Sequence, residues 1–422
     1  MMDAPRTALR LTVWCLMRDQ FAHVRPVEEH MGERAHFVYD AEWEPARMLE
    51  HHPDVVLCVN DFHADVARCL DVAHRARIPS LVLQDGILEW RCQYENPLFG
   101  AGGGAPQHQP VLADKIACIG RQSARQIAAW GNGAAVEVTG MPRLDPLLSR
   151  TVRPHRHPGR RLLVMTAKKA GFTPEQCAIT LRSLRDVQAH LATLPDVDVL
   201  WRVSDEMAEA LGVDNRLREF ASGELADLLE QVDAVITTPS TALLEAMLLG
   251  RPVAALDYHN VPRFIPTAWT ISAREHIPSV VAELRAPSAR KMAFQRECLR
   301  DCLECDTPAA PRVSTLIEHM VEAARCAPHT PPWSLPARLL CAGEGTSQPT
   351  APHASLAELY PEQPVFAESD VRTLQARLVR VERENDRLKR QLRRRSVSYR
   401  LYQLGRSLGE RMHARKVSHV RG

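Results

Sequence analysis

Between Leu9 and about Cys326, short apolar runs alternate with stretches of helical length, and this alternation constrains the fold more than any other feature of the chain. A strand buried on both faces reads as an unbroken apolar run, and its parallel neighbour is reached only through a crossover, usually a helix. Runs at 11–17, 54–59, 80–84, 115–119, 136–139, 162–166, 197–203, 234–237 and 252–256 fit such strands. Stretches at 64–76, 122–130, 174–194 and 242–249 fit the crossovers. That is too many strands for one compact sheet. The pattern also breaks at 149–161, where Pro154, His155, His157 and Pro158 interrupt any apolar period. The expectation is an α/β chain with two Rossmann-like domains, residues 1–150 and 160–327, facing a cleft.

Composition excludes several function classes. With 45% apolar and 25% charged residues, the chain cannot be wholesale disorder. Lys and Arg number 53 against 51 Asp and Glu, so no chain-wide positive field exists and nucleic acid is not an expected partner. Eleven cysteines without a repeated spacing suit a reducing cytoplasm better than a disulfide framework. The run Leu9 to Met17 is broken by Arg10 and Thr12 and reads as a buried strand rather than a targeting segment. No apolar run approaches the roughly 18 residues of a membrane span.

Beyond Cys326 the character changes. Residues 328–369 are punctuated by prolines and read as a flexible tether. In 370–395 a heptad places Val371, Leu378, Asn385 and Leu392 at a positions and Leu374, Val381 and Leu388 at d positions. Arg377 would meet Glu382 of a partner, and Glu384 would meet Lys389, which suits a parallel homodimer coiled coil. The alternative is an amphipathic helix folded onto its own domain. Residues 396–422 place Val397, Leu401, Leu404, Leu408 and Met412 on one face among arginines, a pattern that suits peripheral contact with an anionic membrane.

The chemistry-bearing segments stand at the ends of strands. The loop Thr238-Pro239-Ser240-Thr241 opens a helix, where hydroxyls and backbone N–H groups suit an anion, although Ser240 or Thr241 also fits an N-cap. Glu245 lies too far into that helix for a capping box, and its helical neighbours offer no salt-bridge partner. A carboxylate there can accept hydrogen bonds from a ribose. Thr166-Ala167-Lys168 follows the strand at 162–166, where a lysine suits the charge on a departing diphosphate. Asp85, Asp61 and His63 follow two strands of the first half and are candidate general bases. Asp61 fits an N-cap equally well, so Asp85 ranks first. Cys298, Cys302 and Cys305 share a helical face, but no fourth metal ligand stands near them and no metal site is expected.

Taken together, 224–259, the segments Gln84-Asp85-Gly86 and Ala113-Asp114-Lys115-Ile116, and Gly140-Met141-Pro142-Arg143-Leu144-Asp145 resemble GT-B glycosyltransferases, in particular the capsule, surface-polysaccharide and CDP-glycerol glycerophosphotransferase branch. The likeness spans about 57–259. Where relatives carry a basic residue followed by His-Pro, this chain has Arg202-Val203-Ser204. The resemblance implies transfer of a sugar, or a polyol phosphate, from a nucleotide-sugar donor to a glycan or lipid-linked acceptor, without a metal or other cofactor. It places Lys168, Arg202, Ser240 and Thr241 on the diphosphate, Glu245 on the ribose, Thr166 and Thr238 among the other donor-binding residues, and Asp85 on the acceptor. Two alternatives stand beside it: a nucleotide-sugar epimerase of the same fold, and a non-catalytic glycan-assembly subunit.

Overall fold

The computed structural model describes residues 10–99, 106–150, 159–215, 222–328 and 333–341, with seven helical positions between 380 and 389. The chain to residue 359 forms one compact unit, and 360–422 another.

The first unit holds two parallel sheets. The first comprises β1 (Leu11–Leu16), β2 (Ala35–Asp40), β3 (Val55–Cys58), β4 (Ser80–Leu83), β5 (Lys115–Cys118) and β6 (Val136–Val138), ordered β2-β1-β3-β4-β5-β6. The second comprises β7 (Arg161–Met165), β8 (Asp198–Arg202), β9 (Ala234–Thr237), β10 (Val253–Leu256) and β11 (Trp269–Ile271), ordered β11-β10-β9-β7-β8. All nine expected strands are present. The two that the alternation missed, β2 and β11, are edge strands. β2 alternates buried and exposed positions, and β11 has three residues, so neither leaves an unbroken apolar run.

Strand periodicity assigns each side chain to one face. In β1, Val13 and Cys15 join one core with Leu57 and Leu81, whereas Trp14 and Leu16 join the opposite core with Val56 and Val82. The second sheet divides the same way, with Leu163 and Met165 on one face and Leu162 and Val164 on the other. The core containing Leu163 also takes in Ile119, Met141, Leu144 and Leu147 of the first domain, so the two halves share apolar packing.

Two expectations about the chain after residue 300 need correction. The helix Ala309–Cys326 does not complete the second domain but returns to the first, where Val313, Leu316, Ile317 and Met320 cover the face bearing Val13 and Leu57. Asp145 accepts hydrogen bonds from Ala309 N–H at 2.7 Å and Ala310 N–H at 2.8 Å, anchoring the start of this helix. The returning chain passes so close that a Cβ on Gly120 would lie 2.3 Å from the Cys302 carbonyl. Residues 333–341 of the expected tether are packed rather than free. Trp333 stacks on His74 with its indole N–H on the His74 carbonyl at 2.7 Å, and Leu339 N–H donates to Glu137 at 2.8 Å. The buried Lys115 ammonium donates to Glu137 at 3.1 Å and to the Ala337 carbonyl at 3.0 Å. Apolar anchors among the prolines, Trp333 and Leu340, supply the burial that holds this segment.

The expected linker, apart from its ends, and the rest of the tether lie outside the described residues. So do the glycine run at 102–104, Val371, Leu374, Leu378, Leu392 and the basic tail. Of the heptad, Val381, Asn385 and Leu388 are helical and exposed. No helix among the described residues is long and apolar enough to cross a membrane.

Candidate functional site

In both sheets the strand order reverses once, between β1 and β3 in the first and between β7 and β9 in the second. Doubly wound sheets bind ligands at such switch points, outside the carboxyl ends of the strands. A cavity of about 540 Å3 lies there, within the range of small-molecule sites. The first domain lines it with Gln20, Ala22 and His23 after β1, Asp85 after β4 and Arg143 after β6. The second contributes Thr166, Ala167 and Lys168 after β7, Arg202 at the end of β8, and Leu225, Ser240, Thr241, Ala242 and Glu245 around the β9 loop.

Seven of the ten residues singled out from the sequence meet at this cavity: Asp85, Thr166, Lys168, Arg202, Ser240, Thr241 and Glu245. Three do not line it. Thr238 is buried behind the wall, where its hydroxyl accepts Ala167 N–H at 2.8 Å and joins the β7 and β9 loops. Asp61 is buried and accepts Leu112 N–H at 2.9 Å. His63 is exposed at the start of the helix Ala64–Arg75, its ring against Phe62 and Trp43. An N-cap role for Asp61 is not seen, because His63 occupies the cap position.

Glu245 corrects the sequence reading most. Its missing local partner is supplied from 102 residues away, where Arg143 Nη1 approaches Oε1 at 2.9 Å across the domain boundary. Both groups are largely buried, with side-chain exposures of 5% for Glu245 and 13% for Arg143. Thr241 is likewise committed between domains, its hydroxyl accepting Ile87 N–H at 3.3 Å. A Cβ on Gly86 would lie 2.6 Å from that same oxygen. Gly86→Ala should therefore cost about 1–3 kcal/mol through overpacking, with much of it recovered by adding Thr241→Ala. Denaturant melts of the single and double variants measure this, and equal destabilisation in both would show that Gly86 is not held by this contact.

The electrostatics of the wall are uneven. Arg143, Lys168 and Arg202 bring three cations to a cavity holding two carboxylates, one of them paired with Arg143. Burial pushes the Asp85 carboxyl up from its ordinary value, against the opposing pull of His108, Arg143 and a hydrogen bond from Gln20. His23 is pushed down to about 3 by burial and by the Arg143 charge, so its imidazole is neutral at physiological pH. Four buried polar atoms on this wall have no hydrogen-bond partner within the described protein: His23 Nδ1, Thr166 Oγ1, Ser240 Oγ and Glu245 Oε2. Each such atom ordinarily costs about 1–3 kcal/mol. Their convergence on one cavity marks a surface shaped for a polar ligand. The helix Ala242–Leu248 behind it has only seven residues, and the N–H groups of Leu243 and Leu244 bond back to Ser240 and Thr241. The side-chain cations therefore dominate the positive field.

Gln20, His23 and Arg143 escaped the residue-by-residue reading. Gln20 and His23 follow a strand end, which is a usable signal, but the intervening loop has no motif. Arg143 lies in the Gly140–Asp145 segment, where no spacing in the sequence marks it as a site residue.

No protein-family profile and no curated relative matches the chain. Among solved structures, the S. aureus MnaA–UDP structure aligns with a TM-score of 0.52 at 13% identity, over 74% of this chain and 96% of that one. The UDP-GlcNAc 2-epimerase of Neisseria meningitidis bound to UDP-GlcNAc aligns at 0.49 and 11% identity, over 74% and 100% of the two chains. The wall teichoic acid polymerase TagF aligns at 0.48 and 12%, over 74% and 89%. The likeness is one of fold: two Rossmann-like domains facing a cleft, the GT-B arrangement.

Proposed function

We propose that the protein is an enzyme that transfers a sugar, or a polyol phosphate, from a nucleotide-activated donor to a surface-glycan acceptor. The observation that carries this reading is the cavity at the paired switch points, where three cations and four unpartnered polar atoms suit a polar, anionic ligand and Asp85 stands on the opposing domain. Lys168 and Arg202 hold the diphosphate with Thr166 and Ser240, and Glu245 takes the ribose through Oε2 while Arg143 engages Oε1. Basic side chains stabilise the departing diphosphate electrostatically. Asp85 removes the acceptor proton, and the burial that raises its pKa makes it a stronger base. The fold shared with a structure determined with UDP supports a nucleotide in this cavity.

A thermal-shift screen over UDP, GDP, CDP, CMP and TDP tests the reading. A nucleotide at a hundredfold excess over its Kd should stabilise the protein by about 2.7 kcal/mol. No shift with any of them at millimolar concentration would favour the non-catalytic assembly subunit. The epimerase alternative is separated by incubation with UDP-GlcNAc alone, since only an epimerase turns over without acceptor.

The heptad segment is assigned to a homodimer, supported by the 63% and 49% exposure of Val381 and Leu388 at helical positions. Deleting the chain from Asp370 onward should give a monomer that still binds nucleotide. Sedimentation decides this, and an unchanged oligomer after truncation refutes the assignment. The basic tail is assigned to an anionic membrane surface on its sequence pattern alone.

A further inference from the structure

The two domains meet at a second polar contact that the transfer step does not use. Arg91, which opens the turn Arg91–Glu95 after β4, is 3% exposed, and its Nη1 donates to His259 Nε2, beyond β10, at 2.9 Å. Thr180 Oγ1, on the helix Pro174–Leu191, lies 3.2 Å from the same nitrogen. Beside them Gln176 Nε2 donates to Glu95 Oε2 at 2.9 Å, another bond between the domains. None of these residues lines the cavity, but the loop that reaches Arg91 is the one that carries Asp85 to it.

A guanidinium has donors only and does not lose its charge in a protein. Nε2 is therefore the lone-pair nitrogen of a neutral ring whose proton sits on Nδ1. Burial and the Arg91 charge push His259 down to about 4, against the pull of Asp257, whose Oδ1 accepts His259 N–H at 3.1 Å. A proton on Nε2 would set a second donor and a second positive charge where Arg91 now donates. Each domain holds a replacement partner for that state. Thr180 Oγ1 directs its own hydrogen to the Ala170 carbonyl at 2.8 Å, which leaves a lone pair to accept from Nε2–H. Arg91 Nε already donates to Glu89 Oε1 at 2.6 Å on its own side.

We propose that the Arg91–His259 contact is a proton-sensitive latch between the two domains, closed while His259 is neutral and released when it takes a proton. The charged groups around the ring are Arg91 with its partner Glu89 from the β4 loop and Asp257 from the end of β10. The helix Pro174–Leu191 presents Gln176, bonded to Glu95, and Asp186, whose Oδ2 accepts from the Tyr258 hydroxyl at 3.2 Å. The latched ring binds its proton more weakly than at its ordinary 6.5, so a pH falling from 6.5 toward about 4 favours release. Release frees the wall of the cleft that bears Asp85. The latch needs neither a bound nucleotide nor the assignment of Asp85 as the base.

Hydrogen exchange of the full-length protein, corrected for the intrinsic effect of pH, reads the latch at the amides of 91–95 and 257–260. Lowering the pH from about 7.5 to about 5.5 should speed their exchange about tenfold relative to the amides of β7 and β9, which report loosening of the whole fold. His259→Gln keeps an acceptor near the Nε2 position and takes no proton, so the rise should vanish. Glu89 and Asp257 are unchanged in that variant, and any rise that they cause would persist. Arg91→Met is the second arm, read by NMR of 15N-labelled histidine. Without the guanidinium the His259 midpoint should rise by about one pH unit, the low end of the effect of a nearby charge. That arm decides the matter where His259→Gln does not fold. An equal rise in wild type and His259→Gln, or a His259 midpoint that Arg91→Met does not move, overturns the latch.

Discussion

Asp85→Asn should lower turnover by about 10²–10⁴, the usual contribution of a general base, while leaving the affinity for nucleotide nearly unchanged. The two effects separate because of where the residue sits. Asp85 follows β4 in the first domain, whereas the groups assigned to the diphosphate follow β7, β8 and β9 in the second. Removing the carboxylate takes away the assigned proton acceptor without touching the cations assigned to the donor. The measurement is a steady-state rate with a verified acceptor, alongside calorimetry of nucleotide binding. Wild-type turnover in the variant would remove Asp85 from the chemistry. A loss of nucleotide affinity equal to the loss of rate would place it on the donor instead.

Glu245→Gln should have two separable consequences. The first is weaker nucleotide binding by about 1.5–3 kcal/mol, the scale of a charged hydrogen bond. The second is a loss of stability, because the substitution leaves Arg143 as a buried guanidinium without its carboxylate. Breaking such a pair costs about 3–5 kcal/mol when both groups are fully buried. With 13% of the Arg143 side chain exposed, the lower end of that range is expected. Adding Arg143→Met removes the stranded charge, so the double variant should regain part of the stability but none of the nucleotide affinity. Denaturant titration and calorimetry on both variants read the two quantities independently. If Glu245→Gln is as stable as the wild type, the ion pair contributes nothing to holding the two domains together.

Much of this architecture is local, and local patterns are written in the sequence. A strand buried on both faces must be apolar at successive positions, so runs such as Val55–Cys58 and Ala234–Thr237 declare themselves without knowledge of their neighbours. The strand ends then place candidate residues at the carboxyl edges of the two sheets, and seven of the ten meet at one cavity. The edge strands β2 and β11 are not declared, since a strand covered less completely needs no unbroken apolar run.

What the sequence could not hold is any property that depends on which distant segment returns to a given place. Glu245 lacks a partner within its own helix because the partner is Arg143, on the other domain. The helix Ala309–Cys326 shows an apolar stripe, but nothing in that stripe states which of two sheets it covers, and Asp145 settles the matter only by capping it in three dimensions. Asp61 and His63 stand side by side at a strand end, yet one turns inward against His108 and the other outward against Trp43. Backbone pattern specifies where a side chain begins. Its environment is a sum over long-range contacts, and only the folded chain performs that sum.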